Sequence, residues 1–572
     1  MRLLFKKNYI IFFLLIILLS SSQVYAKNSN IKYTKENISN YFLGTIFSNQ
    51  YYDNKAFKYL KKVESIKDKH SKFNIEFIRT LILLEKFDKA FLFSEDIWNE
   101  DELFFEADLL LGLDSFLNKD YIKAEKHFAR LNKISSSNLF FKDFIGNVLI
   151  SWSKASQGEK ENSFAILKKV PKPYHHLTYT QYSFLKCYFN SDDTQESFEK
   201  LIENKEYNFS RYNFFLINYL LSKKKYKEAE KATTDSRKKY NSNLLIKQTE
   251  NFFLNKKRKK VNDFFNCQDS KDVLAEFFYV LANLYSSEEN YQLSNFYLKI
   301  SLFLNKKFLM NKALLAENYY NQKQNVISKN IYYSLKPIGE VYSWYAAQNI
   351  SRILFEEKGK EHSIENLKKE FNLLSNPTFE HYFEMANFYK DYQYYEEAIK
   401  YYSISLKQIE KNHFLIPRIL DRRGTSYERL GDWENAEKDL TESLKILPDQ
   451  AHVLNYLAYS WVDKGINLDK GIEMLRKASE LSGNDGYIID SLGWAYYAKK
   501  NYIQAEFFLQ KAVELLPSDP IINDHYADTL WMLNKDIQAR FFWKNILNLD
   551  STEKKLKDDI NKKLIFGIEK KL

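Results

Sequence analysis

The 572-residue sequence is poor in residues that form tight turns or covalent crosslinks, with 14 glycines, 8 prolines and 2 cysteines. Because turns between strands draw heavily on Gly and Pro, this scarcity argues against a many-stranded sheet. Two cysteines also exclude a disulfide-rich scaffold. With 45% hydrophobic residues the chain can form a packed interior, so global disorder is excluded and helix is the favoured class.

Sequence motifs of common catalytic sites are absent: there is no phosphate-binding loop, serine nucleophile elbow, H-E-x-x-H or C-x-x-C. The adjacent His175 and His176 have no acidic or cysteine neighbour in sequence, and we interpret them as part of a surface loop and not as a metal site. About 20 residues follow the last repeat unit described below, too few for a catalytic domain. The sequence therefore predicts no enzyme activity, no cofactor and no metal.

Charge of one sign is not concentrated strongly enough to indicate a nucleic-acid-binding protein. The formal net charge is +11 over the whole sequence. The most basic stretch, Asn255 to Asn262 (NKKRKKVN), is interpreted as a solvated loop between helices. We expect no nucleic-acid partner.

The first 26 residues have the layout of a secretory signal peptide: a basic start, an apolar run from Tyr9 to Leu19, and a small-residue exit ending at Ala26. As a helix, this 11-residue run would reach about 16 Å, against a bilayer core of about 30 Å. We expect export to the periplasm and no transmembrane segment after removal of the signal. The alternative is a protein anchored in the membrane by an uncleaved signal.

A pattern of an aromatic residue, two variable residues and a small residue recurs along the chain. The step from Phe87 to Tyr121 is 34 residues, and the larger gaps are near multiples of 34 to 35. A fixed period of this size indicates a helical repeat array. The copies are Phe87–Ala90, Tyr121–Ala124, Tyr226–Ala229, Tyr291–Ser294, Tyr395–Ala398, Trp433–Ala436 and Tyr502–Ala505.

One unit, Gly486 to Asp519, shows how the period produces two helices. Gly493 falls on one face of a first helix with Leu492 and Tyr496, and Ala505 falls on one face of a second helix with Leu509 and Ala512. Gly493 and Ala505 are small because two antiparallel helices cross there. Tyr502 fills the turn, and Pro517 ends the second helix.

This spacing resembles the tetratricopeptide repeat, whose small and aromatic positions are matched by Leu492, Gly493, Tyr496, Ala505, Leu509, Ala512 and Pro517. The resemblance implies an all-α, right-handed superhelical solenoid of helix-turn-helix repeats. Further units begin at Asn37, Ser71, Phe105, Ser210, Ala275, Leu309, Phe379, Pro417 and Ala451. We therefore expect a signal peptide (1–26), degenerate repeats (27–274), regular repeats (275–551) and a C-terminal capping helix (552–572).

The two cysteines, Cys187 and Cys267, are separated by more than two repeat lengths. Because repeats of a solenoid contact only their neighbours, and a disulfide needs α-carbons within about 7 Å, we expect two buried free thiols.

In the tetratricopeptide family the second, fifth, ninth and twelfth positions of each first helix face the concave groove. Applied to the last three units, the resemblance implies a groove that carries aromatic side chains beside carboxylates. Such a surface offers contact area and orientation to a partner. The predicted groove residues are Tyr459, Tyr487, Asp490, Trp494, Tyr497, Asp524, Asp528 and Trp531. The alternative for Trp494 and Trp531 is packing against a neighbouring helix.

The protein is similar to secreted multi-repeat proteins of Gram-negative bacteria, which implies a non-enzymatic scaffold or adaptor of the cell envelope with a protein or peptide partner. Because Asp490 and Asp524 occupy the fifth groove position, a basic or polar segment is expected as the ligand. The alternative function is an envelope polysaccharide-binding or export factor.

Overall fold

The computed structural model of the chain describes residues 34–134, 142–240 and 242–569, so the predicted signal segment, 1–26, lies outside the described residues. The described chain forms 31 α-helices, and it contains no β-strand. None of these helices combines the length and the hydropathy needed to cross a bilayer. The chain divides into two compact units, residues 1–353 and 354–572.

Nineteen of the helices begin in the first unit. They are α1 (Lys35–Asn49), α2 (Asp53–Leu60), α3 (Ser71–Leu83), α4 (Phe87–Ile97), α5 (Phe105–Leu117), α6 (Tyr121–Leu131), α7 (Lys142–Ser156), α8 (Lys160–Leu167), α9 (His175–Tyr188), α10 (Thr194–Glu203), α11 (Tyr212–Ser222), α12 (Tyr226–Lys239), α13 (Leu244–Leu254), α14 (Lys260–Phe264), α15 (Ser270–Ser287), α16 (Tyr291–Leu304), α17 (Lys312–Asn321), α18 (Asn325–Leu335) and α19 (Glu340–Lys358). Short 3₁₀ turns cover Lys61–Lys69, Lys172–Tyr174, Leu309–Asn311 and Lys336–Ile338.

The second unit contains the regular repeats of the C-terminal part. Its helices are α20 (Lys360–Phe371), α21 (Phe379–Asp391), α22 (Tyr395–Gln408), α23 (Ile416–Arg429), α24 (Trp433–Ile446), α25 (Ala451–Asp463), α26 (Leu468–Ser482), α27 (Gly486–Ala498), α28 (Tyr502–Leu515), α29 (Pro520–Met532), α30 (Asp536–Ile546) and α31 (Lys554–Phe566). Consecutive helices pair as antiparallel hairpins, from α1–α2 to α17–α18 in the first unit and from α21–α22 to α29–α30 in the second, and α31 follows as a single helix.

The turn between the two helices of each repeat contains a residue with a positive φ angle, and the turn between α25 and α26 contains a second one, Asn467. In the hairpin α27–α28 this residue is Lys500, with φ of 61°, two positions before Tyr502. Successive turn residues lie 32 to 39 positions apart, so the backbone keeps the repeat where the small residues are lost, between 140 and 200 and between 240 and 270. They are Tyr51, Glu85, Lys119, Gly158, Asn190, Lys224, Lys256, Glu289, Lys323, Gly359, Gln393, Gly431, Gly465, Lys500 and Asn534.

The crossing inside the hairpin α27–α28 leaves no room for larger side chains. A β-carbon added at Gly493 would lie 2.6 Å from Leu509 Cγ and 3.1 Å from the Leu509 backbone nitrogen. Ala505 is fully buried in the same cluster, together with Leu492 and Tyr496. The predicted reason for the small residues at this crossing is confirmed.

Replacing Ala505 by Leu should lower the free energy of unfolding of the C-terminal unit by about 1 to 3 kcal/mol, because the added carbons overpack this crossing. The matched control is Gln504→Leu, which places the same side chain on the exposed face of α28. The measurement is urea unfolding followed by circular dichroism. Equal midpoints for the two variants would show that Ala505 does not lie at the helix crossing.

The expectation of free thiols is wrong, because Cys187 and Cys267 form a disulfide with their α-carbons 5.9 Å apart. Helix α14, the second helix of the pair α13–α14, has only five residues. The segment that follows it therefore packs back against α9 and α11. Asn218 of α11 holds the returning segment by donating to the carbonyl of Phe265 at 2.9 Å. The ring of Phe265 then packs edge-on against Phe215 at 4.6 Å.

The first unit also closes on itself, so contacts are not limited to neighbouring repeats. Phe87 of α4 stacks on Phe303 of α16 with ring centroids 4.0 Å apart. Next to this stack, Lys299 Nζ lies 2.6 Å from Glu85 Oε1. The closure brings together helices that are about 200 residues apart in sequence.

Candidate functional site

The predicted groove residues lie on the first helices of three consecutive hairpins. Tyr459 is on α25; Tyr487, Asp490, Trp494 and Tyr497 are on α27; Asp524, Asp528 and Trp531 are on α29. Helix α27 packs against both α25 and α29, so the three sets are adjacent. The binding role of these residues stays a prediction.

An aromatic stack occupies the centre of this surface. The Trp494 ring lies between Tyr497, with centroids 4.4 Å apart and planes 7° apart, and His525, at 4.0 Å and 12°. Trp494 therefore packs within its own hairpin and against α29, and both of its ring faces are covered. Tyr487, two helical turns before Trp494, is 58% exposed.

The Asp490 carboxylate fixes the position of the His525 ring in this stack. His525 Nδ1 lies 3.0 Å and 3.1 Å from the two oxygens of the Asp490 carboxylate. Burial would lower the pKa of His525, but the Asp490 carboxylate outweighs it, so the pKa is raised and the charged imidazolium is favoured. The pair is a buried ion pair that fixes the imidazole ring against Trp494.

Asp524 and Asp528 are also held by a partner within the chain. Lys563 of α31 places Nζ 2.8 Å from Asp524 Oδ1 and 2.9 Å from Asp528 Oδ2. Trp543 Nε1 donates to Asp528 Oδ1 at 3.0 Å. Burial, followed by repulsion from Asp524, raises the pKa of Asp528 to about 7, although Lys563 opposes the shift.

Trp531 is covered by the C-terminal segment. Its indole Nε1 donates to the carbonyl of Ile568 at 2.9 Å, and its ring meets that of Trp543 at 5.4 Å. Helix α31 joins the buried cluster of the last repeats through Ile560. Of the predicted surface, Tyr459, Tyr487, Trp494 and Tyr497 thus form the part that lies away from α31, and we call these four residues the aromatic face.

Sequence reasoning did not find His525 and Lys563 as members of this site. His525 lies at the position after Asp524, which the register places beside the groove and not in it. Lys563 belongs to a lysine-rich segment, and no spacing rule distinguishes it from Lys562. The two cations pair with the three carboxylates that were expected to select a basic ligand, His525 with Asp490 and Lys563 with both Asp524 and Asp528.

A second concave surface in the first unit was also missed. A cavity of about 580 Å³ is lined by the first helices of six consecutive hairpins, from α9 to α19. At its wall, the Arg211 guanidinium makes two hydrogen bonds of 2.8 Å with the Glu276 carboxylate and lies 3.8 Å from the centroid of the Tyr279 ring. Arg211 and Glu276 are separated by 65 residues, about two repeat lengths, so the rule that repeats contact only their neighbours gave no reason to pair them.

The adjacent histidines do not lie in a loop, as predicted, but open helix α9. His176 stacks on Tyr207 at 4.5 Å, and His175 Nε2 lies 2.8 Å from the Val170 carbonyl oxygen. Within residues 34–134, 142–240 and 242–569, no group of three or more His, Cys, Asp or Glu side chains is arranged to hold a metal ion.

A family model described as tetratricopeptide repeat matches residues 489–519, which are the hairpin α27–α28. The chain thus contains a tetratricopeptide repeat (TPR). The resemblance inferred from Gly493 and Ala505 is confirmed, and so is the all-helical repeat fold.

The chain is similar to the TPR repeat-containing protein PA4667 of Pseudomonas aeruginosa, with 29% identity over 132 residues. The match covers 23% of this chain and spans 20% of that relative's length. Among solved structures, it is similar to the APC/C hetero-tetramer Cut9-Hcn1, with 14% identity, a TM-score of 0.37, and coverage of 94% of this chain and 97% of that chain. A TPR protein of Parabacteroides merdae matches with 18% identity and a TM-score of 0.34, covering 39% of this chain and 88% of that one.

Proposed function

We propose that this TPR protein is a non-enzymatic scaffold of the bacterial cell envelope that holds a protein or peptide partner on its aromatic face. The supporting observation is the stack of Tyr497, Trp494 and His525, fixed by Asp490. A side chain that is already held in one rotamer loses little conformational entropy when a partner binds.

The geometry favours a polypeptide over a glycan at this face. A sugar ring binds an aromatic side chain through an open ring face, and both faces of Trp494 are covered. What remains accessible is ring edges and the exposed Tyr487, which suit the apolar and hydrogen-bonding groups of a polypeptide. The carboxylates of the groove are paired with His525 and Lys563 within the chain, so the partner need not be basic.

Two features support a place in the cell envelope. The first is the signal-peptide layout of residues 1–26. The second is the disulfide between Cys187 and Cys267, since disulfides persist in oxidising compartments such as the periplasm.

Export should remove the segment before Lys27, because the small-residue exit ends at Ala26. N-terminal sequencing of the exported protein should therefore read Lys-Asn-Ser from residue 27. An intact Met1 in the membrane fraction would contradict this proposal and indicate an anchored protein.

Truncating Trp494 or Tyr487 to Ala should weaken partner binding by about 2 kcal/mol, as expected for aromatic residues at the centre of an interface. The partner is first isolated from envelope extract with the mature protein as bait, and affinity is then measured by titration. Phe507→Ala is the matched control, because Phe507 is 64% exposed on the second helix, α28. The comparison uses only variants that keep the wild-type melting temperature.

Unchanged affinity in both Trp494→Ala and Tyr487→Ala would overturn the assignment to the aromatic face. Truncation of Tyr279 beside Arg211 would then test the cavity of the first unit as the binding surface. If the bait captures no protein from the extract and its aromatic face binds purified envelope glycan, the polysaccharide alternative is favoured.

A further inference from the structure

A basic cleft lies where the first unit closes on itself, whereas the aromatic face belongs to the second unit. The turn between α3 and α4 meets α16, the turn after it and the start of α17, and these segments enclose a cleft of about 630 Å³. Five of the residues that line the cleft are lysines, and two are acidic, Glu85 and Asp88. The lysines are Lys86, Lys89, Lys299, Lys306 and Lys312.

The positive charge of the cleft is only partly cancelled. Lys299 pairs with Glu85 at 2.6 Å. Burial would raise the pKa of Glu85, but Lys299 and Lys312 outweigh it and lower the pKa, so this carboxylate is ionised and engaged. By contrast, four lysines form no ion pair in the part of the chain that the structure describes: Lys86, Lys89, Lys306 and Lys312, of which Lys312 acts on Glu85 only at longer range.

Aromatic and apolar groups form the floor of the cleft. The stacked rings of Phe87 and Phe303 lie there with Leu302 and Leu309. The ammonium groups of Lys86 and Lys306 lie 5.4 Å and 5.9 Å from the ring centroids of Phe57 and Phe303. A concave surface with low-dielectric walls concentrates the field of its charges, so an anion is attracted more strongly here than by lysines on an open surface.

We propose that this cleft binds a multivalent oxyanion, a ligand that carries at least two phosphate or carboxylate groups. Each lysine ammonium supplies three hydrogen-bond donors and no acceptor, which suits the oxygens of these groups. Five lysines against two carboxylates leave a net charge of +3 on the lining, which sets the expected valence at two or more negative charges. Glu85 and Asp88 carry the acidic side chains of the lining, and Glu85 is already paired with Lys299, so a cationic ligand fits the cleft less well.

The position of the cleft gives binding a structural consequence. Lys86 and Lys89 come from the second hairpin, whereas Lys306 and Lys312 follow about 200 residues later. A bound anion would therefore bridge the two ends of the closure and stabilise the first unit against unfolding.

The test is calorimetric titration of the full chain with sodium pyrophosphate and, separately, with citrate at low ionic strength. We expect saturable one-to-one binding of at least one of them, weakened on addition of salt. Binding of pyrophosphate alone supports a phosphate-bearing ligand, and binding of citrate alone supports a carboxylate-bearing one. The variant Lys89→Glu with Lys306→Glu should lower the affinity by about tenfold or more, because both lysines are exposed and charge reversal repels the anion.

Lys259→Glu with Lys260→Glu, in the basic stretch 255–262 outside the cleft, is the matched control and should leave the affinity unchanged. The milder pair Lys89→Gln with Lys306→Gln should show an intermediate loss, and circular dichroism checks that each variant is folded. No saturable binding of either anion, or an equal loss in the control, would overturn the proposal, since the interaction would then reflect net charge alone.

Discussion

Replacing both Cys187 and Cys267 by alanine should lower the free energy of unfolding of the first unit by about 4 kcal/mol. The disulfide joins residues separated by 80 positions, so it restricts a long loop in the unfolded chain. It also fastens the returning segment after α14 to α9, across a repeat. The measurement is guanidinium unfolding followed by circular dichroism, in which the transition of the first unit should move to a lower denaturant concentration.

Reduction of the wild-type protein with dithiothreitol in denaturant should have the same effect as the double variant. The single variant Cys187→Ala should match it too, because one thiol cannot form the bond, and alanine leaves no buried hydroxyl at a position that is 1% exposed. Identical unfolding curves with and without reductant would show that the bond does not form in solution.

The helix pairs were predictable because their signal is local. Gly493 and Ala505 are small since Leu509 and the facing helix leave no space, and an aromatic residue in the place of Tyr502 recurs in seven of the turns. The left-handed turn residue was not predictable in the same way. Lys500, Glu85 and Asn534 share the positive φ angle but no residue type, because a solvent-exposed turn accepts several polar residues at modest cost.

Closure of the first unit could not be derived from the sequence. Contact between Phe87 and Phe303 depends on the small rotation that each intervening hairpin adds, and no single residue specifies the sum. The disulfide was missed for a related reason, because the rule that repeats contact only their neighbours fails where α14 has only five residues. Register arguments therefore describe one hairpin well and a stack of many hairpins poorly.

The candidate groove was also predictable only in part. The register placed Asp490, Asp524 and Asp528 on adjacent first helices, where the structure has them. The cations that pair with these carboxylates, His525 and Lys563, lie 35 to 39 residues away in sequence. Lys563 lies on α31, a helix outside the repeat pattern. Sequence reasoning thus located the carboxylates but misread their availability to a ligand.

Replacing Lys563 by methionine should lower the free energy of unfolding of the C-terminal unit by about 3 kcal/mol at pH 8, since it leaves two neighbouring buried carboxylates without a cation. The loss should be smaller at pH 5. Asp528 has a folded pKa of about 7, above the unfolded value of about 4, so protonation favours the folded state. The stability that protonated Asp528 contributes is therefore present at low pH and is lost as the pH rises through 7. Removal of Lys563 raises the pKa of Asp528 further, because Lys563 favours the charged carboxylate.

Thermal unfolding of Lys563→Met at pH 5 and pH 8 checks this expectation, with Lys562→Met as the control because Lys562 is exposed and makes no ion pair among the described residues. Adding Asp528→Asn to Lys563→Met should recover part of the stability at pH 8, because one like charge is removed while the amide oxygen still accepts from Trp543. If Lys562→Met and Lys563→Met behave alike at both pH values, the two carboxylates are hydrated. Asp524 and Asp528 would then be free to bind a basic partner, and the groove would extend from the aromatic face to the end of the repeat array.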